Sequence, residues 1–380
     1  MKSVICDMFG IDFPLLAFSH CRDVVAEVSK AGGMGILGAV DVASAAQLEV
    51  ELDWIDQHVD GKSYGVDFIV PTKYEGKGQN VSLAAAAASV PQSHKDFARS
   101  VLQRFDIDTS DLTDERFERG SKIARNIRDN GSQDLLDIAF SHPIRLIANA
   151  LGTPPDYMLE RSRKAGVPVA ALVGAPEHAV KQAQAGVDII IAAGTESGGH
   201  CGEIGTMVLV PEIIQALKSI GSKIPVLAAG GIVTGRQMAA CMAMGAAGAW
   251  TGSVWLTTPE AETSPVIKEK MLAATSKGTI RSKSRTGKYC RQLRSEWTDA
   301  WEADDAPKPL PMPLQSIISD TSMSKVLKLA NGGHPGAQRL ASYFVGQGVG
   351  LMNTSQSVRS VVQEFMVDYL EAAERLHDSL

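Results

Sequence analysis

The sequence predicts an α/β protein built on a TIM (β/α)8 barrel, with a long helical insertion after strand 3 and a C-terminal helical extension. Short apolar runs alternate with amphipathic stretches from the start of the chain to about residue 255. Runs that are apolar throughout are typical of parallel strands covered by helices on both faces. There are eight such runs, and eight strands with helices between them favour a closed barrel over an open doubly wound sheet.

The eight predicted strands are each too short to be helices. They are Leu15–Phe18, Gly35–Gly38, Gly65–Val70, Ile144–Asn149, Val167–Val173, Asp188–Ala193, Val226–Gly230 and Gly248–Gly252. Amphipathic stretches between them predict helices, for example at Pro154–Lys164, Pro176–Ala185 and Thr234–Met244. Thr234 can cap the last of these helices, and Gly245 suits the turn that ends it.

Two parts of the chain do not follow the alternation of strands and helices. We predict a barrel from residues 1–71 and 143–260, a helical insertion or cap from 72–142, and an extension from 261–380 that packs on the barrel. The insertion contains helical pattern in "SHKDFARSVLQRFDI" and "TDERFERGSKIARNIRDNGSQDLLDIAF". A connection of about seventy residues inside a compact domain is usually functional, often as a lid.

Composition and charge exclude several classes of function. Apolar residues make up 44% of the 380 and charged residues 21%, which is ordinary for a globular protein. A net charge of −6 argues against nucleic acid as a partner. The chain lacks the run of about eighteen apolar residues that a membrane helix needs, and aspartates interrupt its first twenty residues, unlike a signal peptide. We therefore expect a cytoplasmic protein that acts on a small molecule.

The five cysteines are dispersed and form no C-x-x-C pair. An odd, scattered set without an export signal predicts reduced thiols rather than a disulfide framework. His200 and Cys201 are adjacent, but neighbouring side chains diverge and no second pair has zinc-like spacing. We therefore expect no metal site.

Glycine-rich turns follow predicted strands seven and eight, in "LAAGGIVTG" and "WTGSVW". In a β/α barrel these two turns commonly hold a phosphate, because backbone N–H groups near a helix start point at the anion. Gly230, Gly231, Gly252 and Ser253 are the candidate residues. Ordinary tight turns are the alternative, but two such turns at these two positions favour a phosphorylated ligand.

The loop after predicted strand six, "AGTESGGHCGEIG", contains five glycines around His200. Glycine at this density costs backbone entropy, which predicts close approach of the backbone to another group. A histidine at this end of a barrel can exchange a proton with a substrate carbon, because its ordinary pKa lies near neutrality. A surface histidine without a role is the alternative, and the glycine loop favours a catalytic one.

The stretch "RSKSRTGKYCRQLR", residues 281–294, is strongly basic in an acidic chain. Most charge runs are solvated faces. This one could instead bind a substrate phosphate or the nucleotide of coenzyme A, and Arg285 and Arg291 are its candidate substrate residues.

Three segments make a family resemblance specific: "FPLLAFSH…AGGMGILGA", "GTESGGHCGEIGTMVLVPEI" and "IPVLAAGGIVTGRQMAACMAMGAAGAWTGS". Together they resemble the nitronate monooxygenase (2-nitropropane dioxygenase-like) family of FMN-dependent barrels. The likeness covers most of residues 10–260 apart from the insertion, and "VGQGVGLMN" in the extension is also family-like.

The resemblance implies a flavoprotein monooxygenase with non-covalent FMN, which converts an alkyl nitronate and O2 to a carbonyl compound and nitrite. It implies that His200 is the base, that Gly198 and Gly199 lie against the flavin, and that Ala17 and Phe18 line its ring. The full set of cofactor residues that it implies is Ala17, Phe18, Asp67, Ala193, Gly198, Gly199, Gly230, Gly231, Trp250, Thr251, Gly252 and Ser253.

The chain departs from the family pattern near the expected ring. Asp67 stands where the family usually has asparagine, Ala193 and Trp250 where glutamine is common, and Phe18 where methionine is frequent. The insertion and the basic stretch favour an alternative, a flavin-dependent oxidoreductase or reductase of an enoyl or other coenzyme A thioester that uses NAD(P)H. A flavin-binding regulatory protein without turnover is a third reading, which the histidine at the base position argues against. A homodimer is compatible with each of them.

Overall fold

A barrel of eight parallel strands forms the centre of the molecule. The computed structural model describes residues 2–42, 44–70, 88–119 and 129–379. The barrel strands are β1 (Leu15–Ser19), β2 (Met34–Gly38), β3 (Tyr64–Phe68), β4 (Leu146–Asn149), β5 (Val169–Val173), β6 (Ile189–Ala193), β8 (Val226–Ala229) and β9 (Gly248–Thr251). They pair in this order, and β1 closes the ring on β9 with Leu16 opposite Trp250. The predicted TIM (β/α)8 barrel is confirmed.

Side chains that alternate along each strand divide the core into two layers. Leu16, Ile36 and Trp250 point into the barrel and pack in one buried cluster. Leu15 and Val66 point outward and belong to the larger cluster between the strands and the helices. Because strands covered on both faces carry apolar residues at nearly every position, these runs were recognisable in the sequence.

The helices surround the barrel and continue beyond it. Those that the structure describes are Val4–Phe9, Arg22–Lys30, Ala45–His58, Gln92–Gln103, Asp114–Arg119, Asp129–Ser141, Asp156–Ala165, Pro176–Ala185, Thr206–Ser219, Gly235–Ala243, Pro265–Ala273, Glu296–Trp301, Leu314–Asn331, Pro335–Leu340 and Val358–His377, with short 3-10 turns at Ala39–Asp41, Ser253–Thr257, Ser276–Gly278 and Gln347–Leu351. Within the described ranges, no helix has the length and apolarity needed to cross a membrane.

The ends of helix Gly235–Ala243 confirm the predicted caps. The Thr234 hydroxyl accepts a hydrogen bond from the backbone N–H of Gln237, and the Gln237 side chain completes a capping box. Gly245 follows the helix with φ +103, a left-handed conformation in which side chains are strained.

A second, three-stranded sheet lies outside the barrel. It consists of β10 (Thr279–Ser282), β11 (Cys290–Leu293) and β7 (Gly199–His200), paired antiparallel in that order. The basic stretch is therefore a β-hairpin, and β7 is part of the glycine loop that follows β6. Local pattern does not predict this sheet, because its strands contain polar residues and no apolar run.

The described part of the insertion packs on the extension. Phe97, in helix Gln92–Gln103, lies edge-to-face on Trp301 with 4.9 Å between ring centroids. Asp111 forms an ion pair with Lys325 of helix Leu314–Asn331. Residues 71–87 and 120–128 of the predicted insertion lie outside the described residues. The domain limits given above remain a prediction.

Candidate active site

A cavity of about 510 Å³ opens at the C-terminal ends of the barrel strands. This is the end of a β/α barrel at which ligands bind. Its lining includes the sequence-predicted residues Phe18, Asp67, Ala193, Gly198, Gly199, His200, Gly230, Gly231, Trp250, Thr251, Gly252, Ser253 and Arg285. The fold therefore brings together residues that are separated by more than two hundred positions in the chain.

Two predicted site residues do not line this cavity. Ala17 is an outward-facing residue of β1, and its side chain belongs to the buried layer between strands and helices. Arg291 is 7% exposed, and its Nε donates a hydrogen bond of 2.7 Å to the carbonyl of Thr195. Arg291 therefore holds the start of the glycine loop and is not positioned to meet a substrate.

The turns after β8 and β9 bring glycine-rich backbone to the wall of the cavity and form a candidate anion cradle. Gly230 and Gly231 have φ values of +108 and +71, so neither position tolerates a side chain without strain. Gly252 precedes the 3-10 turn Ser253–Thr257, whose first backbone N–H groups have no partner within the turn. Apart from its chain neighbours, the nearest atom to a Cβ built on Gly252 is Cδ1 of Phe18 at 3.7 Å, an ordinary van der Waals contact, so a methyl group fits here beside Phe18.

Ser197, which no motif in the sequence indicates, adds a hydroxyl to this candidate cradle. Its Oγ is buried without a hydrogen-bond partner in the described part of the chain. A Cβ built on Gly230 would lie 2.7 Å from the same atom, so the hydroxyl is adjacent to the turn after β8. A buried hydroxyl without a partner is costly, which points to a ligand that accepts its hydrogen bond.

The glycine loop needs its glycines mainly for contacts within the protein. A Cβ on Gly198 would lie 2.8 Å from the backbone N of Gly346, and one on Gly194 would lie 2.2 Å from Oγ1 of Thr206. The Cβ direction of Gly198 therefore meets the extension, while the residue also lines the cavity, and its contact with a flavin stays a prediction. Gly199, with no atom within 4 Å of a built Cβ, faces open space.

His200 is half-buried on β7, where backbone pairing with Cys290 of β11 fixes its position. Its Nε2 lies 2.9 Å from Oγ1 of Thr286. That hydroxyl donates to the carbonyl of Lys288 at 3.2 Å and accepts from the backbone N–H of Lys288. Because the hydroxyl donates to that carbonyl, Thr286 accepts a hydrogen bond from Nε2–H, and Nδ1 is then the basic nitrogen of the ring.

The surroundings keep the imidazole of His200 neutral. Burial away from bulk water and then the charge of Lys288 lower the pKa of His200 to about 4. The side chain is therefore an acceptor of protons throughout the physiological range. The carboxylate of Glu196 is used at the start of helix Thr206–Ser219, where it accepts from the backbone N–H of Thr206.

A second histidine of the cavity, His20, was not singled out in the sequence. It follows β1, and its Nδ1 donates to the carbonyl of Gly38 at 2.8 Å. The ring lies edge-to-face on Phe18 with centroids 5.0 Å apart. Its position just after an apolar strand in "FSH" is the signal that could have identified it.

Asp67 is a buried carboxyl group in the wall of the cavity. Its side chain is 5% exposed, and Oδ1 has no partner in the described residues. Burial raises the pKa of Asp67 to about 8, while a backbone hydrogen bond from Phe68 opposes the shift. The group is therefore largely protonated at neutral pH.

Arg285 brings a buried positive charge to the cavity. It is 9% exposed, its guanidinium stacks over Phe344 at 5.0 Å, and its Nε has no partner in the part of the chain that the structure describes. Arg281 and Lys283 instead cover the ring of Tyr289 at 4.1 and 4.6 Å. The basic stretch is thus a hairpin with differently placed charges and not one continuous strip.

The extension forms the roof of the cavity. Helix Leu314–Asn331 contributes Met323 and Leu327, and the segment after it contributes Tyr343 and Phe344. Of the insertion residues that the structure describes, none lines the cavity. The described helices of the insertion therefore support the roof from outside.

Comparisons with known proteins agree with this arrangement. The family model for nitronate monooxygenase matches residues 2–368. A Mycobacterium tuberculosis protein, Rv1533, is 50% identical over 379 residues, which cover 99% of this chain and 98% of that protein. Its description as a monooxygenase is provisional.

Two solved structures share the fold. Nitroalkane oxidase from Streptomyces ansochromogenes has a TM-score of 0.79 at 23% identity and covers 98% of this chain and 100% of its own. The enoyl reductase domain of MlnA from Bacillus amyloliquefaciens has a TM-score of 0.65 at 14% identity, with 98% of both chains covered. Both chains match the barrel and its additions over nearly their whole length.

Proposed function

The chain belongs to the nitronate monooxygenase family of oxidoreductases, and from that premise we propose that it binds FMN and oxidises alkyl nitronates with O2 to a carbonyl compound and nitrite. The observation that carries the proposal is a neutral His200 in the wall of a cavity that also contains an anion cradle. An isolated histidine would not support it, but a base that shares a cavity with a phosphate site fits an FMN enzyme that also accepts the neutral nitroalkane.

The residues present fit FMN. The cradle of Gly230, Gly231, Gly252 and Ser253, with the buried Ser197 hydroxyl, suits its phosphate. Open space above Gly199 leaves room for a ligand against its backbone. When bound, FMN supplies the two-electron oxidation of the nitronate and the reaction with O2.

Phe18 and Trp250 provide an apolar surface beside that space. Their rings stack with centroids 6.5 Å apart, and Trp250 is almost fully buried. A flat aromatic cofactor can lie against such a surface. We propose that Ala193, Thr251 and the backbone of Ala17 complete this side of the site.

His200 acts on a substrate that enters as a neutral nitroalkane. Nδ1 accepts the proton from the carbon that carries the nitro group, and the electron pair of the broken C–H bond remains on the substrate as the nitronate. Thr286 keeps the other nitrogen protonated and the ring in place. A substrate supplied as a nitronate has already lost this proton and does not need the base.

Arg285 holds the negative charge of the substrate. A nitronate is an anion, and Arg285 is a buried cation of the cavity whose Nε lacks a protein partner in the described residues. A charge-assisted hydrogen bond from a partly desolvated guanidinium is strong enough to orient a small anion. The apolar roof of Met323 and Leu327 limits access of water.

The test compares His200→Asn with the unchanged protein on two forms of one substrate. We expect the variant to retain FMN, to lose about 100-fold or more in kcat/KM on the neutral nitroalkane, and to keep its activity on the preformed nitronate. His20→Asn, which changes the other described histidine of the cavity, is the control and should affect the two forms equally. Equal activity of His200→Asn and the unchanged protein on the neutral nitroalkane would remove His200 from the role of base.

The structural similarity to an enoyl reductase domain supports one alternative, an FMN-dependent reductase of an enoyl or other coenzyme A thioester that consumes NAD(P)H. In that case Arg285 would meet the thioester, and Arg281 and Lys283 would be available to the nucleotide phosphates. Anaerobic bleaching of the flavin separates the two functions. Nitronates bleach it under our proposal, whereas NADH or NADPH bleaches it under the alternative.

A further inference from the structure

Asp67 is the acidic residue most deeply placed in the cavity wall. It occupies an inward-facing position of β3, between Gly38 of β2 and Ala148 of β4. Neither neighbour has a polar side chain that could bind a carboxyl group. The carboxyl oxygen Oδ1 is nevertheless buried without a partner in the described residues. A buried polar atom in the wall of a cavity is satisfied when a ligand supplies the missing hydrogen bond.

The charged and titratable groups around the cavity do not offset the burial of the Asp67 carboxyl group. Strands β2 and β4 contain no titratable side chain, and neither does the inward face of β3 other than Asp67 itself. The charged and titratable residues that line the same cavity are His20, His200, Arg285, Asp320 and Tyr343. None of them is a charge partner of Asp67, whose state depends mainly on burial and on the N–H of Phe68.

A protonated carboxyl group and an ionised one offer different hydrogen bonds. The protonated form has one O–H donor and acceptor capacity besides, much as an asparagine amide has, whereas the ionised form can only accept. The ring of FMN presents nitrogen and oxygen acceptors at its edge. An ionised Asp67 beside such an acceptor would place two acceptors together in a buried site, which costs free energy.

We propose that Asp67 meets bound FMN as a protonated carboxylic acid, which donates a hydrogen bond to an acceptor atom of the cofactor, so that FMN binding requires the proton of Asp67. This inference rests on the proposed function, because it takes FMN to be the ligand. It explains how an aspartate can stand at a position where an amide would also fit. Ionisation of Asp67 removes the donor and weakens binding.

The direction of the pH dependence follows from this linkage. If the bound form retains the proton, the dissociation constant of FMN is constant at low pH and increases about tenfold per pH unit above the pKa of Asp67 in the free protein. That pKa is about 8. Binding should therefore weaken across the weakly alkaline range and not in acid.

The experiment measures binding of FMN to the apoprotein by quenching of FMN fluorescence from pH 6.5 to 9.5. We expect the dissociation constant for FMN of the unchanged protein to rise at least tenfold across this range. The dissociation constant of Asp67→Asn should rise far less. Ionisations of FMN itself affect both proteins alike. Asp320→Asn is the matched control in the same cavity, and it should keep the pH dependence of the unchanged protein. Parallel profiles for the unchanged protein and Asp67→Asn would overturn the proposal.

A second measurement needs no variant. Calorimetric titration of the unchanged apoprotein with FMN at pH 9, in two buffers of different ionisation enthalpy, reports the protons taken up. We expect close to one proton per FMN, and no uptake would contradict the proposal. Absence of FMN binding at every pH would instead reject the proposed function, so the two failures are distinguishable.

Discussion

At the scale of single residues, the state of His200 decides what the cavity can do. Burial and Lys288 lower its pKa, so the ring is a neutral acceptor at the cost of being a weaker base than a solvated histidine. Such a base is useful when the positioned carbon acid is already activated, as a nitro group activates its neighbouring carbon. Thr286 then determines which nitrogen receives the proton.

The pH profile of the unchanged enzyme should reveal this low pKa. Since the neutral imidazole is the active form, kcat/KM on a neutral nitroalkane should be constant above about pH 5 and fall in acid with a midpoint near 4. Initial rates between pH 3.5 and 8, corrected for loss of FMN, measure it. A midpoint near 6.5 would mean that the ring is solvated during turnover.

Lys288 should contribute a small part of that shift. Its charge is the second cause of the lowered pKa, after burial, so Lys288→Gln should move the acid midpoint upward by less than about one pH unit. Lys283→Gln, a neighbour on the hairpin whose amine lies over Tyr289, is the control and should leave the midpoint in place. An unchanged midpoint in Lys288→Gln would assign the whole shift to burial.

Thr286 should act through the orientation of His200. Thr286→Val keeps the shape but removes the hydroxyl, so we expect about a 10-fold or greater loss of kcat/KM on the neutral nitroalkane and little loss on the nitronate. Thr286→Ser restores the hydroxyl and should recover most of the activity. If the valine variant loses activity on both forms equally, the residue has only a structural role.

At the scale of elements, a substitution in the turn after β9 should change ligand binding without changing the stability of the fold. Gly252 has φ −135, outside the left-handed region that favours glycine, and a Cβ here would make an ordinary van der Waals contact with Phe18. Gly252→Ala should therefore leave the melting temperature of the apoprotein unchanged but weaken FMN binding about tenfold or more, because the new methyl group occupies the cradle.

Gly278→Ala provides the matched control for that substitution. A Cβ on Gly278 also has its nearest protein atom at 3.7 Å, but this glycine lies away from the cavity. Both the melting temperature and the FMN affinity should be unchanged in the control. A fall in melting temperature confined to Gly252→Ala would show that the turn itself depends on glycine.

The strands and turns that form the site differ in how well the sequence predicts them. The eight barrel strands were predictable because each is a short apolar run, and the turns after β8 and β9 because the fold uses those positions for phosphate. Strand β7 has two residues, and its partner Cys290–Leu293 lies about ninety positions away. Local periodicity cannot predict such a pairing. For the same reason the glycines of the loop were attributed to a ligand, whereas Gly194 and Gly198 approach other parts of the chain.

At the scale of the whole molecule, the buried carboxyl group of Asp67 links stability to pH. Its pKa is near 8 in the folded protein and near 3.8 otherwise, so the folded state holds a proton that the unfolded state releases. Stability of the apoprotein should therefore be highest in acid with respect to this group, and it should decline as the pH rises from about 4 to 8.

Asp67→Asn should remove the loss of stability that ionisation of Asp67 causes, while it keeps a side chain of the same shape. We expect the variant apoprotein to melt about 2 °C or more above the unchanged protein at pH 8, and the difference to shrink towards pH 5. The titration of His200 is common to both proteins and cancels in the comparison. A difference in melting temperature that does not change with pH would indicate a packing effect instead.

At this scale, the roof over the cavity is the feature that the sequence did not predict. An extension packed on the barrel was expected, but nothing local in Leu314–Asn331 indicates that Met323 and Leu327 face a ligand. That assignment depends on tertiary packing, including the Phe97–Trp301 contact with the insertion. Long-range contacts of this kind leave no periodic pattern in either segment.

The pairing of β7 with β11 also sets an order of events during synthesis. The last barrel strand ends at Thr251, so the ribosome can release a complete set of eight strands while His200 still lacks its partner at Cys290. Arg285 and Thr286 emerge shortly before Cys290, and the roof helix Leu314–Asn331 emerges after it. A nascent chain can therefore close its barrel early, but it acquires an oriented base and a covered cavity only when the C-terminal third has been made.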